Sequence, residues 1–249
     1  MKKKIAALSM AACMAASVTA CGGSKPAETT AAATEAETTA AESAAEESSA
    51  EETKAAADIE TVTPGKLTVA TSPDFAPYEF YAIGEDGTPK LAGFDMDLAQ
   101  YIADYLGLEL EVVTVDFDGV ISELQTKSVD LGMAGLSPDE KRMGIMDFSD
   151  LYYMGGQSLV TVKDNAEKYN SFEAINKPDV SVGAQVGSIQ MDLANENSPE
   201  ADIVGLPKVT DIISELLTGK MDAAYIETDV AKSYQKNYPE LTLVMDVPY

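Results

Sequence analysis

Two stretches of the chain echo each other, and the echo constrains the fold more than any single element. Ile121-Ser-Glu-Leu-Gln-Thr-Lys-Ser-Val-Asp130 and Ile213-Ser-Glu-Leu-Leu-Thr-Gly-Lys-Met-Asp222 agree at six of ten positions. Each reads as the end of a helix followed by the start of a buried strand, so two similarly built halves are expected. The surrounding pattern alternates in the same way. Leu67 to Ala70 reads as a strand. Phe94 to Leu106 reads as a helix, with Leu98, Ile102 and Leu106 four apart, Asp95 and Asp97 in its first turn and Gly107 as its stop. Leu108 to Val115 follows as a strand, Val120 to Thr126 as a helix and Val129 to Ala134 as a short buried strand.

From Gln157 to Val162 the alternation resumes. Strands are expected near Val180 to Gly183, at Ile203-Val204 and over Met221 to Ile226, with helices from Ser188, over Thr210 to Thr218 and from Thr228. Strands alternating with helices predict an α/β fold of two lobes, each a parallel sheet flanked by helices, hinged between them. The first lobe is expected over 59–156, and a hinge strand with the second lobe over 157–249.

The first 58 residues read differently. Met1 to Lys4 is basic and Ile5 to Ala20 is apolar, the layout of a secretory signal peptide over 1–20. Cys21 follows Val18-Thr19-Ala20, a run that resembles a bacterial lipobox, in which the Cys carries lipid; ordinary cleavage after Ala20 is the alternative. Residues 22 to 58 are Ala, Glu, Thr and Ser with almost no large apolar side chain. Such a stretch cannot bury enough surface to offset its ordering entropy and is expected to be a disordered tether of about 35 Å. The protein is therefore expected outside the cytoplasm, held at the cell membrane by lipid at Cys21, as a monomer.

Composition excludes several function classes. There is no His, which removes the commonest general base and metal ligand, and the second Cys, Cys13, lies inside the apolar leader. No metal and no cofactor are expected. Acidic residues number 42 against 17 basic, for a net charge of −25. No basic patch can form, so a nucleic-acid partner is excluded.

The echo places Gly135 and Glu227 at equivalent positions, each just past the C-terminal end of a strand, where open α/β sheets bind ligands. After Gly135, Ser137 is expected to cap a helix, with Pro138 at its first position and Glu140 closing a capping box. A helix start of this kind suits a small anion. Arg142, the only arginine in the chain, offers a planar fork that matches a carboxylate; the plainer reading is a surface residue paired with a neighbouring acid. Glu227, on the other lobe, could meet an ammonium. Together they would form a zwitterion clamp that couples binding to closure. Phe75 and Phe117 could sandwich a ligand side chain, or simply pack in the core. The loop Gln185-Val-Gly187-Ser188 could offer N–H groups to the same carboxylate, or serve as a turn and N-cap.

Gly93-Phe-Asp-Met-Asp-Leu98, followed by Ile102-Ala103 and Leu106, resembles the signature of the bacterial solute-binding proteins of amino-acid ABC transporters, of polar amino-acid type. The Phe75-Ala-Pro-Tyr-Glu79 loop, the segment from Ser137 to Arg142, Asp147-Phe-Ser-Asp150 with Tyr152-Tyr153, and Met221-Asp-Ala-Ala224 extend the resemblance from about Leu67 to the end. It implies a hinged fold that closes on an amino acid and docks on a membrane permease. It further implies that Arg142 holds the ligand carboxylate with Gly135, Ser137 and Gly187 beside it, that Phe75 and Phe117 are aromatic walls, and that Glu227 meets the amino group. Ser72 falls where binders of basic amino acids often carry Asp, which argues against a Lys or Arg ligand. The resemblance also implies a further crossover and closing helices, so a partial chain is expected. A dehydratase-like enzyme on the same fold, acting on prephenate or arogenate, is the competing expectation; with no His it would rely on Glu227, Asp74 or Tyr residues. A receptor's sensor module is a third.

Overall fold

The computed structural model describes residues 59–249; the expected leader, Cys21 and the tether lie outside the described residues. Strand β1 (Lys66–Thr71) is the centre of the first sheet, between β5 (Glu109–Thr114) and β6 (Leu131–Gly132), and pairs with both in parallel. Its alternating residues serve two cores, as period-2 geometry requires. Leu67 and Val69 pack with Met96, Ala99 and Ala103 of helix α1 (Phe94–Leu106). Ala70 packs with Phe117 and Val120 of helix α2 (Phe117–Gln125) on the opposite face. Covering both faces is what makes a parallel sheet stable.

Helix α1 occupies the span expected of it, and Gly107 ends it in the left-handed conformation (φ 66°), where its N–H reaches the carbonyls of Ala103 and Asp104. Its buried stripe, however, runs through Met96, Ala99 and Ala103, while Leu98 and Ile102 pack from its edge. Helix α2 begins at Phe117, three residues before the expected start, because Asp116 already has the extended backbone of an N-cap. The expected strand over Val129 to Ala134 contracts to the two residues of β6.

The second sheet has the order β11-β7-β10-β8-β9, with β7 (Gln157–Val162), β8 (Ser181–Gln185), β9 (Asp202–Leu206), β10 (Ala223–Glu227) and β11 (Leu241–Val247). Strands β10, β8 and β9 run parallel as expected of the lobe, and the entry of β7 makes the sheet mixed. Strand β7 runs antiparallel to both β10 and β11. The reason is geometric: β7 starts at Gln157, which pairs with Glu227 at the C-terminal end of β10. A strand that enters a sheet from its carboxyl edge must run against the parallel strands. Ala224 and Ile226 pack on helices α6 (Val209–Thr218) and α7 (Thr228–Asn237), while Ala223 and Tyr225 pack on α5 (Ile189–Asn197) and Ile175 of the one-turn helix α4 (Phe172–Ile175). A small antiparallel sheet, β2 (Asp74–Phe75), β3 (Glu79–Ile83) and β4 (Pro89–Ala92), was not legible in the alternation, being built of very short strands.

The sequence echo has a structural cause. Its last residue, Asp130 or Asp222, clamps the neighbouring strand at the helix-to-strand junction. Asp130 Oδ2 accepts the Thr68 N–H at 2.7 Å while its own N–H donates to Thr68 O at 2.9 Å. Asp222 Oδ2 accepts the Ser181 N–H and its N–H donates to Ser181 O, both at 3.0 Å. Among the described residues no helix is long and apolar enough to cross a membrane.

Candidate functional site

The carboxyl ends of β1, β5, β6, β8 and β10 open on one cavity of about 430 Å³ between the lobes. It is lined from the first lobe by Phe75, Phe117, Gly135, Ser137 and Arg142, and from the second by Gln185 and Glu227, all expected from the sequence.

Arg142 sits on the short helix α3 (Glu140–Met143), and the expected cap of that helix needs correction. The cap is Asp139, whose Oδ1 accepts the Arg142 N–H at 2.9 Å; Ser137 lies two residues too early to do this. The N-terminus of α3 is thus already answered by a carboxylate and offers no separate anion site. What holds the guanidinium is a set of three partners. Nη1 donates to Ser137 O at 2.8 Å, Nη2 donates to Gly187 O at 2.9 Å, and Nε pairs with Asp139 Oδ2 at 3.1 Å. Its Cζ lies 5.7 Å from the Phe117 ring centroid. Only 6% of the residue is exposed. The plain reading of a surface arginine fails, although its pairing with a neighbouring acid holds. Burial lowers its pKa from the usual arginine value, yet the group stays charged. Of five guanidinium N–H bonds, those three partners leave one free on each Nη, a planar pair able to meet a carboxylate.

Glu227 ends β10 and caps α7, its Oε2 accepting the Val230 N–H at 2.8 Å. Oε1 accepts longer bonds, 3.3 Å each, from the Tyr78 hydroxyl and the Gly156 N–H. Burial pushes its carboxyl above the usual glutamate range, and the Val230 and Gly156 N–H groups work against that rise. A cationic group brought to Oε1 would relieve the same desolvation.

Three expected residues lie off the cavity wall. The Ser72 hydroxyl donates to Asp74 Oδ1 at 3.0 Å inside its own loop. Ser188 is the N-cap of α5, accepting the Met191 N–H and donating to Gln185 O. Gly187, left-handed at φ 76°, contributes its carbonyl to Arg142 rather than an N–H to the cavity. Phe75 is both wall and core: it stacks on Tyr78 at 5.7 Å, and the two pack with Ile212 and Val230 of the second lobe.

Residue-level reading missed Gln157 and Gln190, buried cavity residues joined by a 2.8 Å bond from Gln190 Nε2 to Gln157 Oε1. The register of Gln157 opposite Glu227 was the available signal, and it needs the antiparallel pairing to be read. Tyr78 was noted only as part of a motif. Among the described residues no cluster of three Asp, Glu, His or Cys side chains could hold a metal ion.

The model of the bacterial extracellular solute-binding proteins, family 3, matches residues 67–242. The arginine-binding extracellular protein ArtP of Bacillus subtilis is 35% identical over 178 residues, 71% of this chain and 66% of ArtP, so the match spans just under two thirds of that relative. The cyclohexadienyl dehydratase of Pseudomonas aeruginosa is 29% identical over 180 residues, 72% of this chain and 66% of the enzyme. The amino acid ABC transporter substrate-binding protein AbpA of Streptococcus pneumoniae, solved with L-arginine bound, superposes with a TM-score of 0.70 at 37% identity, covering 72% of this chain and 75% of AbpA. With its two α/β lobes and the cavity at their strand ends, the chain belongs to the bacterial extracellular solute-binding proteins, family 3.

Proposed function

We propose that the protein binds an amino acid or a close analogue in the cleft between its lobes and delivers it to the permease of an ABC transporter. The observation that carries this reading is the pairing of a buried arginine and a buried glutamate, one from each lobe, on the same cavity. The two free N–H bonds of Arg142 suit a carboxylate and Oε1 of Glu227 suits an ammonium. A ligand that bridges them stabilises the closed arrangement by contacts that neither lobe makes alone. Phe75 and Phe117 serve as walls, and Gly135, Ser137 and Gln185 as polar neighbours of the ligand; Ser72, Gly187 and Ser188 support them from behind. We divide the folded part at Gln157, into lobes over 59–156 and 157–249. Residues 1–20 serve as a secretion signal, Cys21 carries lipid that anchors a monomer at the cell membrane, and 21–58 form the tether.

The test is a thermal-shift screen of the twenty amino acids, with arginine first in view of ArtP and AbpA. A shift with one or a few, lost in Arg142→Lys, supports the clamp. Removing bidentate, charge-assisted bonds should weaken binding on the order of ten- to a hundredfold. No shift with any of them sinks it.

The likeness to cyclohexadienyl dehydratase supports a second reading, because a glutamate whose carboxyl is raised by burial can act as an acid. Product formation from prephenate or arogenate, lost in Glu227→Gln, would establish it in place of the first.

A further inference from the structure

Behind the cavity wall made by Phe75, Gly135 and Tyr152 lies a carboxyl that the clamp does not use. Glu79 is fully enclosed, 0% exposed, and neither of its oxygens has a hydrogen-bond partner when it is ionised. A bare carboxylate in such a place keeps its proton rather than pay desolvation. Asp95, also 0% exposed, lies within hydrogen-bond reach of it. Asp95 is already committed as an acceptor: Oδ2 takes the Gly135 N–H at 3.1 Å and Oδ1 takes the Tyr152 hydroxyl at 3.0 Å. Two carboxylates cannot bond to each other, whereas a carboxylic acid and a carboxylate can. The bonding around Asp95 identifies it as the acceptor, which leaves Glu79 as the donor.

We propose that Glu79 is a neutral acid that donates its proton to Asp95, and that this proton-sharing pair positions the Gly135–Tyr152 wall of the cleft. The links from the pair to the wall are short. Glu79 is the cross-strand partner of Phe75 in the β2–β3 pairing. The Asp95 N–H donates to Tyr78 O at 2.9 Å and the Phe94 N–H donates to Pro77 O at 3.0 Å, so the first turn of α1 is bonded to the same loop. Ionising both carboxyls would set two negative charges against each other between the loop that carries Phe75 and the helix that holds Gly135 and Tyr152.

The charged and titratable groups around Glu79 are Asp95 from α1 and Asp74 from β2, with the Tyr152 hydroxyl bonded to Asp95 and Lys208 lowering the Asp74 carboxyl from beyond it. Burial first, then those two acids, hold its carboxyl well above the usual carboxylate range. A group raised in this way takes up a proton on folding. Its contribution to stability is complete below the ordinary glutamate value and is lost as pH rises toward the folded value, about tenfold in the folding constant per pH unit.

The positioning role rests on the cleft reading proposed above; the shared proton does not. Infrared spectra of the full chain at neutral pH should show the carbonyl stretch of an un-ionised acid that disappears in Glu79→Gln and shifts in Asp95→Asn. Glu79→Gln keeps a donor toward Asp95, so it should fold, hold the assigned Gly135 amide resonance near its wild-type position and show a smaller decline in stability with pH than the wild type. Glu79→Ala, with no donor, should move that resonance. Absence of the acid band from the wild-type protein, or its survival in Glu79→Gln, overturns the shared proton, and the wild-type band with its Asp95→Asn shift decides this even if Glu79→Gln does not fold. A Gly135 resonance indifferent to both pH and Glu79→Ala overturns the positioning role. None of these readouts needs a ligand, so a protein that bound no amino acid would defeat the cleft reading and leave this assignment intact.

Discussion

Asp74 of the first lobe caps a helix of the second: its Oδ2 accepts the backbone N–H of Val209, the first residue of α6. The residue that precedes the helix, Lys208, makes no side-chain cap of its own. The Tyr234 hydroxyl of α7 donates to the Asp74 carbonyl at 2.8 Å, so two helices of one lobe are tied to one residue of the other. The start of α6 is therefore completed by a side chain from the other lobe.

Asp74→Ala should cost about 1 kcal/mol of stability, the usual worth of an N-cap, and should loosen the closed form. Asp74→Asn keeps the acceptor oxygen. Because burial, the largest influence on this carboxyl, raises its pKa, removing the charge should cost less than about 0.5 kcal/mol. Denaturant unfolding would measure both changes, and small-angle scattering would report the opening expected for Asp74→Ala alone.

Glycine at 93 is required by a close approach. A Cβ there would stand 2.1 Å from the Tyr78 carbonyl oxygen, on a backbone with φ 128°. The contact is with backbone, which cannot swing aside. Gly93→Ala should destabilise the first lobe by about 3 kcal/mol or more, and hydrogen exchange should show the loss in α1 and in the Phe75-to-Glu79 loop before the second sheet is affected.

Ligand affinity should fall in acid through Glu227. Its carboxyl is raised above the ordinary glutamate value by burial, so as pH drops through the raised value the free protein protonates there. An ammonium ligand must then displace that proton, weakening binding by up to about tenfold per pH unit. Calorimetry in buffers of different ionisation heat should detect proton release on binding in that range. Glu227→Gln should bind more weakly at neutral pH and lose the dependence. An affinity that rises on acidification would contradict the role given to Glu227.

Helix α1 and strands β1 and β5 were legible because their signals are local: apolar spacing within the element, acids in the first turn and glycine at the stop. The echo likewise revealed Gly135 and Glu227 as equivalent strand ends, and both line the same cavity. Ser137 shows where local reading fails. Its spacing satisfied a capping box, but Asp139 caps the helix, and Ser137 holds Arg142 through a backbone carbonyl, a group no sequence pattern marks.

By itself, then, the sequence determined the alternation of the main strands and helices, the two-lobed α/β class and the strand ends at Gly135 and Glu227, since these follow from periodicity and from repetition along the chain. Tertiary structure alone decided the direction of β7, the three partners of the guanidinium, the shared cluster of Glu79 and Asp95, and the bond from Asp74 to Val209. That last pair is separated by 135 positions. The physical reason is that buried charges and helix ends take whatever partner the packing brings near, and nearness in space leaves no periodic trace along the chain.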